Sequence, residues 1–224
     1  MMNKLKEFLE KSKGKKTFLE HEAKGLLKES GFPVPKGIFV ERGMVDRIPE
    51  ITDISYPIVA KVSSSKIISK TEVNGVRTGL KNEDELKKAV RELMQIKDAE
   101  GVLIEEMAPP GLEVIVGGVI DKQFGPVVMF GLGGILVELF KDVAFALAPV
   151  KKDDAQWLVK QVKGYKLLEG YRGKPHVDIN VLLDMIVSVS ESITPGLIKE
   201  IDLNPVSLYP KGAMVLDAKI LVCE

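Results

Sequence analysis

The feature that most constrains this 224-residue chain is a run near its C-terminal end, Lys199-Glu-Ile-Asp-Leu-Asn-Pro205, followed by a return, Ala213-Met-Val-Leu-Asp-Ala-Lys219. At the strand period of two, Glu200, Asp202 and Asn204 fall on one face and Ile201 and Leu203 on the other, with about 6.7 Å between successive side chains of a face. The joining Tyr209-Pro-Lys-Gly212 is turn chemistry, since Pro presets φ and Gly permits a positive one. The return is therefore expected to pair back antiparallel as one strand and to bring Asp217 alongside. Carboxylate and amide oxygens converging from a hairpin suit a hard cation such as Mg²⁺, which takes few protein ligands and completes its octahedron with water and phosphate oxygens. An edge hairpin whose polar face is simply solvated fits the same pattern.

The rest of the composition sets bounds on function. With 45% apolar residues the chain can bury a substantial core, as one domain or two joined lobes. Lys plus Arg and Asp plus Glu are 32 each, so no overall field favours a polyanion and nucleic acid is not an expected partner. The apolar run over 131–140 is too short to cross a bilayer and the N-terminus, Met1-Met-Asn-Lys-Leu-Lys, is polar; no membrane partner and a cytoplasmic location are expected. A lone Cys223 permits no internal disulfide and no thiolate cluster.

Along the chain, helical spacing recurs over 2–12 (Leu5, Phe8, Leu9) and 17–29 (Phe18, Leu19, Ala23, Leu26, Leu27), with Gly31 as a stop. A short strand is expected at 38–40. Pro57-Ile-Val-Ala-Lys-Val62 is a near-continuous apolar run, which predicts a strand buried on both faces, with one cation that needs a partner. After a polar loop over 63–75, strands are expected at 76–80, 101–107, 113–120 and 126–130, with a turn at 121–125. Helices are expected from Asn82, which caps an acidic first turn, after Lys151-Lys-Asp-Asp154 to about Lys163, and over 178–190 under a cap by Asp178. Strands, helices and hairpins without a regular βαβ period give an α+β class with two lobes and a cleft.

Four features could converge on one ligand. A buried Lys61 ammonium is costly unless it meets an anion, either a nucleotide phosphate or a local carboxylate. The strand ending in Glu105-Glu-Met107 before Ala-Pro-Pro-Gly111 could present backbone groups to a base, with Glu113 beyond the turn placed for ribose hydroxyls. Gly131-Leu-Gly-Gly134 permits close backbone approach and an anion-binding nest, or simply tight packing. It matches neither the P-loop nor the dinucleotide fingerprint. With the acidic hairpin, these make up the parts of a phosphoryl-transfer site.

The strings Leu19-Glu-His-Glu-Ala-Lys24, Gly31-Phe-Pro-Val-Pro35, Pro57-Ile-Val-Ala-Lys61, Gln123-Phe-Gly-Pro-Val-Val-Met-Phe-Gly-Leu-Gly-Gly134, Lys141-Asp-Val143, Arg172-Gly173 and Glu200-Ile-Asp-Leu-Asn-Pro205 run through essentially the whole chain in order. Together they resemble the ATP-grasp β subunit of archaeal ADP-forming acyl-CoA synthetases. The resemblance implies one ATP-grasp domain over 1–224 whose two lobes, a smaller one near 38–103 and a larger one from 1–37 with 104–224, enclose a nucleotide cleft. It implies ADP or ATP and Mg²⁺ as ligands, and a CoA-binding α subunit as partner in a hetero-oligomer.

The same resemblance implies site roles. Lys61, Lys70, Gly133 and Gly134 would handle phosphate, Glu105, Glu106 and Met107 the adenine, Glu113 the ribose, and Asp202, Asn204 and Asp217 the metal. Ser69 stands where members of the family commonly have a phosphoryl-carrying histidine, and Phe145-Ala146 where Phe-Arg is usual. A serine phosphoester would be too stable to return phosphate readily, so Ser69 is not expected to be a carrier. His21 and His176 read as structural. The implied activity is the ADP/ATP half of acyl-CoA + ADP + phosphate ⇌ acid + ATP + CoA. A non-catalytic nucleotide-binding or scaffolding paralogue is the alternative, and an independent carboxylate–amine ligase a third.

Overall fold

The computed structural model describes residues 7, 16–44, 54–67, 69–134 and 140–223. Apart from Glu7, the expected helix over 2–12 lies outside them. The chain forms two compact units, one from Leu19–Glu22 and Pro35–Pro109 and the other built on Ala23–Val34 and Pro110–Glu224. Helix α1 (Glu20–Glu29) gives its first turn to the former and the rest to the latter. The expected start at Thr17 is corrected: Thr17 makes a β-bridge to Leu221, and the Phe18 N–H donates to the Ile220 carbonyl at 3.2 Å. These residues are taken up by sheet pairing, and the helix opens where the Glu22 carboxylate accepts from the Leu19 N–H at 3.0 Å.

The first unit holds β1 (Gly37–Glu41), β2 (Ile58–Ser63), β3 (Val76–Leu80), helix α2 (Glu83–Met94) and β4 (Gly101–Glu106), in an antiparallel sheet ordered β1-β4-β2-β3. β2 pairs with a strand on each edge and is buried on both faces, as its nearly continuous apolar sequence implies. Ile58, Ala60 and Val62, with Val40, Val102 and Ile104, form one face and pack against Leu86, Ala89, Val90 and Leu93 of α2. Asn82 caps that helix as expected, accepting from the Glu85 N–H at 2.9 Å. The opposite face carries Lys61 across from Leu103, and Val59 across from Glu105. Two glycines on this face make room for long side chains: a Cβ on Gly37 would fall 2.7 Å from the Glu105 Cγ, and one on Gly101 would strike the Phe39 ring.

The second unit holds β5 (Leu112–Asp121), β6 (Gly125–Leu132), β7 (Val143–Leu147), helices α3 (Lys152–Lys160) and α4 (Ile179–Ile193), then β8 (Ile198–Leu208), β9 (Ala213–Val215) and β10 (Ala218–Val222). Its antiparallel sheet runs β10-β8-β5-β6-β7, with β9 on β8. One face is core, where Ile201, Leu203, Val114, Val116, Val128 and Phe130 meet Leu182, Ile186, Val189 and Ile193 of α4. The register sets Lys219, Asp202, Gly117, Met129 and Phe145 in one row across the sheet's other face.

Four expectations need correction here. β7 was not expected; its short run, Val143-Ala-Phe-Ala-Leu147, carries no turn signal of its own. Helix α3 starts at Lys152, inside the run expected to precede it, and ends at Lys160 rather than about Lys163, and α4 runs on to Ile193. The return of the C-terminal hairpin is two strands, not one: it breaks at Leu216 and Asp217, opposite Asn204 and Pro205. Pro205 has no N–H for the ladder, so bonding there is rearranged, with Leu216 N to Pro205 O at 2.9 Å and Asn204 N to Asp217 O at 3.1 Å. Lys24 Nζ of α1 donates to the Leu216 carbonyl at 2.7 Å. Among the described residues, no helix is long and apolar enough to cross a membrane.

Candidate functional site

In the first unit the cation on β2 has the local partners that the sequence left open. Lys61, 8% exposed, places Nζ 2.8 Å from Glu20 Oε1 and 2.8 Å from Glu105 Oε2. Lys70, from the loop after β2, places its Nζ 3.0 Å from the other Glu20 oxygen. Two ammonium groups and two carboxylates thus form a balanced cluster, which is how charges survive burial.

The strand end beside this cluster is partly committed. Glu106 accepts from the Ser55 N–H at 3.0 Å, and the Glu106 and Met107 amides donate to the Lys36 and Pro57 carbonyls. What this segment still presents is the Met107 side chain, 40% exposed. The Ser69 hydroxyl accepts from the Glu72 N–H at 3.4 Å and so closes the turn that carries Lys70. His21 stacks on Phe39 at 3.9 Å and 9°, a packing role.

In the second unit the acidic strand face differs. Asp202 is pushed up from 3.8 to about 6, first by burial, then by the charges of Glu200 and Asp217, with Lys219 opposing them. Lys219 is itself 3.1 Å from Glu200 Oε1. Asn204 is exposed and Asp217 half-buried, and the backbone bond between them holds the two side by side. Among the described residues, no group of three or more His, Cys, Asp or Glu side chains is gathered closely enough to hold a metal ion by itself. The chemistry of the donor set fits Mg²⁺, because two carboxylates and an amide are hard oxygen ligands and Mg²⁺ retains water and phosphate oxygens.

The glycine-rich segment lies in the same unit. The Gly133 N–H donates to the Glu113 carbonyl at 2.8 Å, and a Cβ there would fall 2.9 Å from that backbone. Gly134 has φ +64°, a conformation that favours glycine. Gly133 and Gly134 therefore sit beside Glu113, whose side chain is exposed at the start of β5. Close packing accounts for Gly133, and it leaves the exposed Glu113 carboxylate next to a bare backbone.

The structure thus gathers Lys61, Lys70 and Glu105 in one group, Asp202, Asn204 and Asp217 in a second, and Glu113, Gly133 and Gly134 in a third. Sequence reasoning missed Glu20, 41 positions from Lys61, and no local pattern marks it. It also missed Asp142, 8% exposed, whose carboxylate accepts from the Lys163 and Gly164 N–H groups at 2.8 and 2.9 Å and fixes the turn after α3. His176 is exposed in its loop.

Comparison with known proteins adds identity to this geometry. Residues 10–222 match the ATP-grasp domain family. The chain is 42% identical over 228 residues to the acetate–CoA ligase [ADP-forming] I subunit beta of Pyrococcus furiosus, covering 98% of each chain. It is 44% identical over 206 residues to acetate–CoA ligase [ADP-forming] II of Archaeoglobus fulgidus, covering 92% of this chain but 30% of that longer protein. Among solved structures, the dinucleotide forming acetyl-coenzyme A synthetase 1 of Ca. Korarchaeum cryptofilum, in complex with coenzyme A, Ca-AMPCP and HgCl⁺, superposes with TM-score 0.87 and 39% identity over 100% of both chains. A further structure of that protein holds coenzyme A and Mg-AMPPCP, with its phosphohistidine segment pointing towards the nucleotide binding site (TM-score 0.78, 43% identity, 95% of this chain and 96% of that one).

Proposed function

The chain belongs to the ATP-grasp domain family, and on that premise we propose that it is the nucleotide-handling subunit of an ADP-forming acyl-CoA synthetase. It would act with a separate CoA-binding subunit in acyl-CoA + ADP + phosphate ⇌ acid + ATP + CoA. The likeness to a β subunit over 98% of both chains supports the division of labour. The geometric observation that carries the reading is the acidic strand face itself, where Asp202 and Asn204 alternate along β8 and the Asn204 N–H donates to the Asp217 carbonyl at 3.1 Å, so that carboxylate and amide side chains stand at neighbouring positions.

In this reading Asp202, Asn204 and Asp217 hold Mg²⁺ and Lys61 and Lys70 turn to nucleotide phosphates. Gly133 and Gly134 offer a backbone that phosphate can approach, Glu113 takes ribose hydroxyls, and Glu105, Glu106 and Met107 border the base. Bound Mg²⁺ would neutralise charge on the phosphates of the nucleotide. In the forward direction a phosphoryl group leaves a histidine nitrogen of the partner and is accepted by a β-phosphate oxygen of ADP, giving ATP and restoring the imidazole. The chain's residues supply position and charge for this transfer rather than a covalent intermediate. Ser69 does not carry phosphate, because its hydroxyl already serves the turn to Glu72 and a serine phosphoester would return its phosphate too slowly.

The test is reconstitution. The purified chain alone should show no ATP formation from acetyl-CoA, ADP and phosphate, and adding a CoA-binding partner subunit should produce it. Turnover by the chain alone, with contaminating partner excluded by mass spectrometry, would sink the subunit reading. An assembled complex that binds no Mg-ADP and stays inactive would point instead to a scaffolding paralogue.

A further inference from the structure

Glu20 is 6% exposed, yet it is the first residue of a helix whose next acidic residue, Glu22, caps the Leu19 N–H from outside. Its two oxygens are divided between two cations from different parts of the chain. Oε1 meets Lys61 of the central strand β2 at 2.8 Å, and Oε2 meets Lys70 at 3.0 Å. The two lysines differ in how firmly they are held. Lys61 has a second carboxylate, Glu105, at 2.8 Å, and a backbone paired to strands on both edges. Lys70 opens a turn, where its carbonyl accepts from the Gly75 N–H at 2.6 Å, and the residues after it, Thr71 to Asn74, are exposed. Side by side, two ammonium groups repel, and a carboxylate shared between them offsets that repulsion.

We infer that Glu20 is a positioning residue: its shared carboxylate pins the loop ammonium of Lys70 beside the strand ammonium of Lys61, so that both face incoming phosphate as one unit. This rests on the proposed function, in which the two lysines serve a nucleotide's phosphates. Glu20 itself never touches the nucleotide. It acts on binding chiefly through Lys70, because Lys61 keeps Glu105 as a second carboxylate when Glu20 is removed.

The test is a double-mutant cycle on the full chain, with the partner subunit added if the chain alone binds weakly. Mg-ADP affinity is measured for the parent, Glu20→Gln, Lys70→Met and the double variant. Lysine acetylation by a water-soluble active ester, followed by mass spectrometry, reports how accessible Lys70 is in each. Glu20→Gln should weaken Mg-ADP binding about tenfold, as should Lys70→Met, and the double variant should be no weaker than Lys70→Met alone. Lys70 should acetylate several-fold faster in Glu20→Gln, and Mg-ADP should protect it in the parent. A general loss of packing would not confine its effect to Lys70 in this way.

The outcomes distinguish failure of the lysine's role from failure of the carboxylate's. If Lys70→Met binds as the parent does and Mg-ADP leaves Lys70 unprotected, the phosphate role of Lys70 fails first. If Lys70→Met is weakened but Glu20→Gln is not, or if the two losses add, Glu20 does not work through Lys70 and the inference is overturned. If Glu20→Gln proves unfolded by circular dichroism, Glu20→Asp decides. The shorter carboxylate keeps the charge but cannot span both lysines, and it should still speed Lys70 acetylation; an unchanged rate overturns the inference.

Discussion

The two ionic groups, one on each sheet, are built from the same residue types and end in opposite states. On the four-stranded sheet, Lys61 and Lys70 meet Glu20 and Glu105, one cation for each carboxylate. On the six-stranded sheet, burial first, and then the charges of Glu200 and Asp217, push Asp202 up to about 6 against the opposing ammonium of Lys219, which lies 3.1 Å from Glu200 Oε1. The first group tolerates burial because it is internally neutral. The second sets like charges beside a partly buried carboxyl, which opposes its ionisation. The arrangement of charge, more than residue type, separates the two groups.

The largest effect should come from unbalancing the first group. Lys61→Met removes the ammonium that two buried carboxylates, Glu20 and Glu105, both meet, and breaking a buried pair in this way costs about 3–5 kcal/mol. Urea denaturation should show it as a lowered midpoint. The matching change on the other sheet, Lys219→Met, removes a cation from a pair whose side chains are 40% and 34% exposed, and it should stay within about 1 kcal/mol of the parent. Similar losses for both variants would erase the contrast between the sheets.

Relieving the second group should have the opposite sign. A native carboxyl raised from 3.8 to about 6 holds its proton more tightly than the unfolded chain does. The folded state therefore binds more protons between about pH 4 and pH 6, and stability falls as pH rises through that window and levels off above it. Asp202→Asn should flatten this slope and raise stability at pH 7 by up to about 3 kcal/mol, since each tenfold change in proton affinity is worth about 1.4 kcal/mol. The pH dependence of the thermal midpoint, measured without divalent cations, checks both the slope and its loss. An unchanged slope would mean that Asp202 does not carry the strain.

The smallest effect is expected at Ser69. If phosphate passes directly from the partner to ADP, Ser69→His should leave turnover of the assembled enzyme roughly as it was. After incubation with labelled ATP and partner, acid-labile phosphate should be absent from the parent chain. A sharp rise in turnover on restoring the imidazole would instead show that a relay on this chain is required.

Much of this was legible in the sequence for reasons that can be named. The apolar run of β2 implied a strand buried on both faces, as it is, Asn82 and Asp178 announced their helices by capping chemistry, and the alternation of Glu200, Ile201, Asp202 and Leu203 set polar and core faces of β8 correctly. Local signals failed where the deciding contact was distant. Thr17 and Phe18 have helical spacing, but pairing with Leu221 and Ile220 takes them first. The return strand reads as continuous until Pro205, on its partner, withholds a donor. Lys61 advertised a need for an anion, yet nothing near it named Glu20, because that contact exists only once the first turn of α1 meets the sheet.

The central claim is that this chain binds a nucleotide through a cation held by Asp202, Asn204 and Asp217, and calorimetric titration of ADP with and without Mg²⁺ tests it most directly. Saturable binding of Mg-ADP is expected, lost on chelation and weakened about tenfold, or ~1.4 kcal/mol, in Asn204→Ala and in Asp217→Ala, with folding intact by circular dichroism. Absence of Mg-ADP binding by the chain and its assembled complex, or binding equally strong without Mg²⁺ and in both variants, would contradict it.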